Sequence, residues 1–186
     1  MIEIRETTKR DLALVKSLWA DGDVMRFVGF PEGLHQTDED MMHWFEWIVS
    51  SRPATNHYSI FSDEVYCGET FFSLDSVHKS ASLDIKLFRF ARGKGIAAAA
   101  LSFAMKEAFK NGARSVWVDP NPQNSRAIAL YQRLGFKEKQ RPPYLEEASS
   151  IYMECTRQKG QPTNCSAGSR TELSREEPQH PSKAAT

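Results

Sequence analysis

Apolar and charged residues alternate in "IEIRE" (Ile2 to Glu6), the period-two pattern of a strand with one buried face. The period then lengthens: Leu12, Val15 and Trp19 form a helical stripe, and Thr8 and Asp11 stand at capping-box spacing ahead of it. A loop rich in glycine and acid follows, through Pro31 and Gly33. Thr37 is placed to cap a second helix, "DEDMMHWFEWIVS", whose first-turn acids suit the positive end of a helix dipole. "HYSIFS", "EVYCGETFFSL" and "ASLDIKLF" read as three strands joined by short polar turns. A glycine-containing segment leads into a helix through Asn111, with Gly112 as its stop signal. "RSVWVD" reads as a short buried strand. "NPQNSRAIALYQRL" reads as a helix with Asn121 as cap and Pro122 in its first turn, ended by Gly135. "FKEKQ" and "SSIYMEC" supply the closing strands.

After Cys155 this patterning stops. The remainder is dense in Pro, Gly, Ser and charge and holds almost no large apolar residues, so it cannot offset its ordering entropy. The expected organisation is one domain over 1–156 and a disordered polar tail over 157–186, with "TELSREE" able to form at most a turn or two of helix. Composition adds exclusions. Lys plus Arg and Asp plus Glu are both 24, so no global field draws the chain to nucleic acid or an anionic membrane. No apolar run approaches a membrane span, and "MIEIRETTKRDL" lacks the apolar middle of a signal peptide. Cys67, Cys155 and Cys165 have neither disulfide-framework nor metal-ligand spacing, so reduced thiols in a cytoplasmic protein without metal are expected.

The chemistry begins at "FARGKGIAAAALSFA" (Phe90 to Ala104). Two glycines at the threshold of a strong helix former suggest backbone amides turned toward a phosphate. A Walker loop is excluded, because Lys94 is followed by Gly95 and no glycine stands at the required earlier position. Gly93 to Ala98 does read G-x-G-x-x-A, the dinucleotide fingerprint. However, "FRFAR" separates it from the strand, and "LDIKLF" alternates where a central parallel strand should be continuously apolar. A third pattern, R-x-x-G-x-A, is met by Arg92, Gly95 and Ala97, and some 25 residues on stands "NSRAIALYQRLGF" (Asn124 to Phe136).

These two segments, in this order, resemble the pyrophosphate-binding motif and the following N-x-x-A-I-x-L-Y-x-x-x-G-F segment of the GNAT N-acetyltransferases. The resemblance spans roughly Ile2 to Glu154. It implies an α/β (α+β) domain with a mixed, mostly antiparallel sheet of about six to seven strands flanked by about four helices. It also implies acetyl-CoA as donor and a small-molecule or peptide amine as acceptor. By resemblance, Ile85, Leu87 and Phe88 lie along the pantetheine arm, one backbone N–H facing the thioester oxygen. Arg92, Gly93, Lys94, Gly95, Ile96 and Ala97 cradle the pyrophosphate, and Asn124 contacts the cofactor. Tyr131 is the proton donor to the leaving thiolate. On its own periodicity, with Ala127, Leu130 and Leu134, the same tyrosine reads as core. One departure is the turn before Arg92, where Arg89 and Phe90 replace the proline frequent in the family.

A general base is expected among the carboxylates near the strand: Asp84 first, Glu69 second, with a solvated strand charge as the alternative for each. His35, His43, His57 and His78 read as structural or surface residues. The segment from Asp21 to Trp47 combines acids with Phe27, Phe30, Trp44, Phe45 and Trp47. It reads either as an acceptor cleft for a cationic amine or as helix-start charges over core aromatics. "VDPNPQNSRAIALYQRLGF" is similar to aminoglycoside N-acetyltransferases, and "VMRFVGFPEG" to the branch acting on ribosomal and other protein N-termini. A non-catalytic acyl-CoA-binding domain, and a monomer or homodimer, all remain open.

Overall fold

The computed structural model describes residues 1–146 and 148–157; the polar tail from residue 158 on, with "TELSREE" and Cys165, lies outside the described residues. Seven strands form one sheet: β1 (Ile2–Glu6), β2 (Thr55–Ser62), β3 (Val65–Asp75), β4 (Ser80–Leu87), β5 (Ser115–Val118), β6 (Lys137–Glu138) and β7 (Met153–Thr156). Their order is β1-β2-β3-β4-β5-β7-β6. Every neighbouring pair is antiparallel except β4 and β5, as the resemblance implies.

Helices cover both faces. On one, α1 (Leu12–Trp19) and α3 (Asp38–Ser51) bury Val15, Leu18, Trp19, Met41, Trp44 and Ile48 against Tyr66 and Phe71. The Thr37–Asp40 capping box forms as the sequence indicates, Thr37 donating its amide to Asp40 Oδ2 at 2.8 Å and accepting that of Asp40 at 3.1 Å. On the other face, α4 (Ile96–Lys110) lays Leu101, Ala104 and Ala108 on Phe72, Leu83 and Val116, and α5 (Ser125–Arg133) adds Tyr131. The fifth helix, α2 (Gly22–Met25), is a four-residue turn within the glycine- and acid-rich loop, capped by Asp21, whose Oδ1 accepts the Asp23 amide at 2.8 Å.

Two local features set up the site. The connection from β4 through α4 to β5 is a crossover, which makes that pair parallel. Only Ser80 to Ser82 of β4 pair with β5, opposite Ser115 to Trp117. Past Val118 the chain leaves the sheet at Pro120 and Pro122, which have no amide to donate. The sheet therefore splits, and the remainder of β4 keeps an open edge. The second feature is the start of α5. Asn121 does not cap it. Its Oδ1 accepts the Gln123 amide at 2.9 Å and its carbonyl the Asn124 amide at 2.8 Å, a turn that holds Pro122 outside the helix. Asn124 is the cap, accepting the Ala127 amide at 3.2 Å. At the other end Gly135, at φ +90°, closes a Schellman turn in which Phe136 donates to the Tyr131 carbonyl at 3.0 Å.

Candidate active site

The glycine segment has the conformation that its residues predict. Gly93 and Gly95 both sit at φ +78°, with open space where a Cβ would stand, so backbone conformation and not crowding demands glycine there. The amides of Gly93, Lys94, Gly95, Ile96 and Ala97 have no hydrogen-bond partner among the described residues, and the last two belong to the exposed first turn of α4. Such a run of donors at a helix N-terminus suits a phosphate. Lys94 is exposed beside it, whereas the Ile96 side chain is buried, which leaves only its amide available. Arg92 is placed differently. Its Nε donates to the Leu87 carbonyl (3.0 Å), Nη1 to Asp23 Oδ2 (3.0 Å) and Nη2 to the Asp23 carbonyl (3.2 Å), so the guanidinium fastens the turn to α2. A Gly95→Val variant forces a β-branched residue into the left-handed region, at a cost of at least about 1–2 kcal/mol. Swinging the turn to relieve this carries the amides away, so acetyl-CoA affinity by titration calorimetry should fall at least about tenfold. Unchanged affinity would remove the turn from the binding site.

The open edge of β4 follows from its ladder. Phe88 donates its amide back to the Cys67 carbonyl at 3.0 Å. By alternation Asp84 and Lys86 also face β3, while Ile85 and Leu87 turn their amides toward the split. The Ile85 amide is occupied, donating to Asp84 Oδ1 at 2.8 Å. Leu87 is thus the residue whose N–H can meet a carbonyl oxygen there.

Three ionisable groups near the split, Tyr131, Asp84 and Asp119, lie within electrostatic reach of one another. Tyr131 is 6 % exposed and packs in the core beneath α4 and α5. Burial, and then the charges of Asp84 and Asp119, hold its phenol above the ordinary range, so it stays protonated. Asp119 follows directly on β5. Burial pushes its pKa up to about 6; Asp84 adds to the shift, while Arg141, with Nη2 at 3.6 Å, opposes it. Arg141 is itself held by Ser150, whose Oγ accepts at 2.7 Å. Spacing alone does not single out Asp119, since it reads as the end of a strand; its relation to Tyr131 exists only once the crossover is made.

Asp84, by contrast, is clamped. One carboxylate oxygen takes the Ile85 amide and the other takes the ammonium of Lys86. Lys86 is 3 % exposed and also reaches Glu69 Oε1 at 3.3 Å. Glu69 is 1 % exposed and accepts from Trp19 Nε1 at 2.9 Å, with His57 Nε2 at 3.0 Å. His57 Nδ1 in turn meets Thr7 Oγ1 at 2.7 Å. Glu69 therefore lies inside a buried network under α1 and not in the split. The His57–Glu69 contact arises because β2 and β3 put these residues diagonally opposite on one face of a hairpin.

The acids between Asp21 and Trp47 are largely engaged within the fold. Asp21 caps α2, Asp23 holds Arg92, Asp38 pairs with Lys16 at 2.7 Å, and Asp40 belongs to the capping box. Trp44 is core, 4.9 Å from Trp19. Among the described residues no group of three or more His, Cys, Asp or Glu could hold a metal, and no helix is long and apolar enough to cross a membrane.

Comparison with known proteins agrees with this geometry. The family model of the acetyltransferase (GNAT) domain matches residues 2–137. YwnH of Bacillus subtilis (strain 168), named provisionally as a phosphinothricin acetyltransferase, is 28% identical over 141 residues, covering 73% of this chain and 83% of that protein. The spermidine N-acetyltransferase of Vibrio cholerae, solved with CoA and spermine, superposes with a TM-score of 0.68 at 16% identity, over 82% of this chain and 92% of its own. The ribosomal-protein-alanine N-acetyltransferase of Brucella melitensis gives 0.64 at 18% identity, over 83% and 99%. With its motifs, its split sheet and a family match over most of the described residues, the chain belongs to the GNAT family of acyl-CoA-dependent N-acetyltransferases.

Proposed function

We propose that the protein transfers an acetyl group from acetyl-CoA directly to the primary amine of a small molecule, with Asp119 as base and Tyr131 as acid. What supports this is that the charge of Asp84 reaches Asp119, and the charges of both reach Tyr131, where β4 and β5 part. The donor supplies an activated acetyl group: a C–N bond forms, the C–S bond breaks, and the products are an amide and CoA thiol. The amides from Gly93 to Ala97, with Lys94, hold the pyrophosphate, and Asn124, the cap of α5, contacts the cofactor. Arg92 keeps the turn in place through Asp23. Asp119 accepts the proton that the amine loses on attack, and a pKa of about 6 leaves it ionised at neutral pH and still basic. The Leu87 N–H donates to the carbonyl oxygen as negative charge develops on it. Tyr131, held protonated, hydrogen-bonds the departing sulfur and delivers its proton there. Ile85 and Phe88 flank the arm as packing surfaces, since their amides are engaged. Asp84 supplies fixed negative charge beside Asp119, which favours a cationic acceptor.

The direct test is release of free CoA across a panel of aminoglycosides, amino sugars, polyamines, amino acids and N-terminal peptides. Turnover with a small amine supports the proposal. Turnover confined to peptides moves the acceptor to protein N-termini, and tight acetyl-CoA binding without turnover on any amine defeats it. Tyr131→Phe should lower kcat more than tenfold with little change in acetyl-CoA affinity; an unchanged kcat removes Tyr131 as the acid.

A further inference from the structure

A cavity of about 260 Å³ opens on the face of the sheet that carries Asp84, and its lining includes Ser73, Asp75, Ser80, Ser82, Trp117 and Tyr144. Its position relative to the reacting groups follows from strand geometry. Ser80, Ser82 and Asp84 alternate onto one face of β4, so Ser82 lies one repeat, roughly 7 Å, from Asp84. Trp117 pairs with Ser82 across β5 and lies two residues before Asp119, which follows that strand, and Ser73 lies directly opposite Ser82 on β3. The outer wall is preformed. Tyr144 stacks on His78 with ring centroids 3.6 Å apart and planes within 7°, and Asp75 Oδ2 holds His78 Nδ1 at 2.7 Å. Asp75 Oδ1 is engaged as well, accepting the amides of Val77 (2.8 Å) and His78 (3.0 Å). The Ser82 hydroxyl has no hydrogen-bond partner among the described residues, while that of Ser73 shares a bond with Thr55 at 2.9 Å.

We infer that this cavity seats the body of the acceptor and that the acceptor is an amino sugar, a single amine on a neutral, hydroxylated ring. The inference rests on the acetyl-transfer reading above. Serine hydroxyls both donate and accept, which suits sugar hydroxyls, and the rings of Trp117 and Tyr144 offer apolar surface to the C–H face of a sugar. The same lining argues against other amines. A polyamine needs several carboxylates free to pair, and among the described residues the one that lines the cavity, Asp75, is already bonded through both oxygens. An α-amino acid or a phosphinate needs a cationic partner, and among the described residues neither Lys nor Arg lines the cavity. The amine itself reaches from the cavity toward Asp119 and Asp84.

The test uses D-glucosamine as probe, with spermidine and glutamate as comparators. In steady-state assays the KM for D-glucosamine should rise about threefold to tenfold in Ser82→Ala and at least tenfold in Ser82→Ala/Tyr144→Ala. Acetyl-CoA affinity should stay within about twofold. Saturation-transfer NMR on the CoA-bound protein reads the same seat without turnover: D-glucosamine should give a signal that the double variant loses. That signal without CoA release from any amine keeps the seat and overturns the acetyl-transfer reading. CoA release with spermidine or glutamate that is insensitive to both substitutions keeps acetyl transfer and overturns the seat. Absence of any D-glucosamine signal or turnover overturns the seat as well.

Discussion

Lys86→Met should destabilise the protein by about 3–5 kcal/mol, the cost of removing one partner from a buried ion pair. The reason is charge balance under α1. Burial pushes the Lys86 ammonium toward losing its proton, but the carboxylates of Asp84 and Glu69 outweigh this and hold its pKa above the ordinary lysine value. Methionine fills much of the same volume, so what is lost is the positive charge between two carboxylates, one of them fully enclosed. For a chain of this length each kcal/mol lowers Tm by roughly 2–4 °C, so a fall of roughly 6–20 °C is expected by circular dichroism. Adding Glu69→Gln neutralises the enclosed carboxylate and should recover part of the loss. A Lys86→Met protein melting within about 2 °C of the parent would mean that the network carries no net charge to balance. The double variant has a second use. With Asp84 no longer clamped, kcat should fall while acetyl-CoA affinity holds, since the donors at Gly93 to Ala97 do not depend on Lys86.

The parts of this protein that are legible in the sequence are those that local chemistry determines. The strand at "IEIRE", the Thr37 capping box and the φ requirement of the glycine turn depend on a few residues, and each appears where the pattern places it, although Ile2 on β1 stays exposed. The start of α5 was harder to read, because Asn121 and Asn124 are both competent caps. A proline after the first asparagine favours a turn there, which gives the helix to the second. The candidate site is legible as two motifs and no further. Arg92 reads as a phosphate ligand from its position, but α2 brings Asp23 to it across 69 residues of chain, and no local pattern predicts that partner. Glu69 reads as a second candidate base and His57 as a structural or surface residue until the hairpin register makes them neighbours. Asp119 is legible as the last residue of a strand and becomes a candidate base only when the crossover sets it beside Tyr131 and Asp84. In each case the missing information is long-range pairing, which periodicity does not encode.

Asp119→Asn should lower kcat/KM for the amine by about 10²–10⁴, the usual contribution of a positioned general base. Asparagine keeps the size and the ability to accept from Ser150 but cannot take a proton. The pH profile provides the sharper reading. A base must be ionised to act, so in the parent kcat/KM should rise with pH through about 6 and be lost below it, as Asp119 binds its proton. The variant should lack this ascending limb. Asp84→Asn makes the complementary prediction: removing a neighbouring negative charge lowers the pKa of Asp119, so the limb should persist and move to lower pH. If the limb instead survives in Asp119→Asn and disappears in Asp84→Asn, the clamped carboxylate is the base. Lys86 would then act by holding that base toward the amine, and Asp119 by steering the incoming cation. The two assignments thus differ in which substitution removes the ascending limb and which leaves it in place.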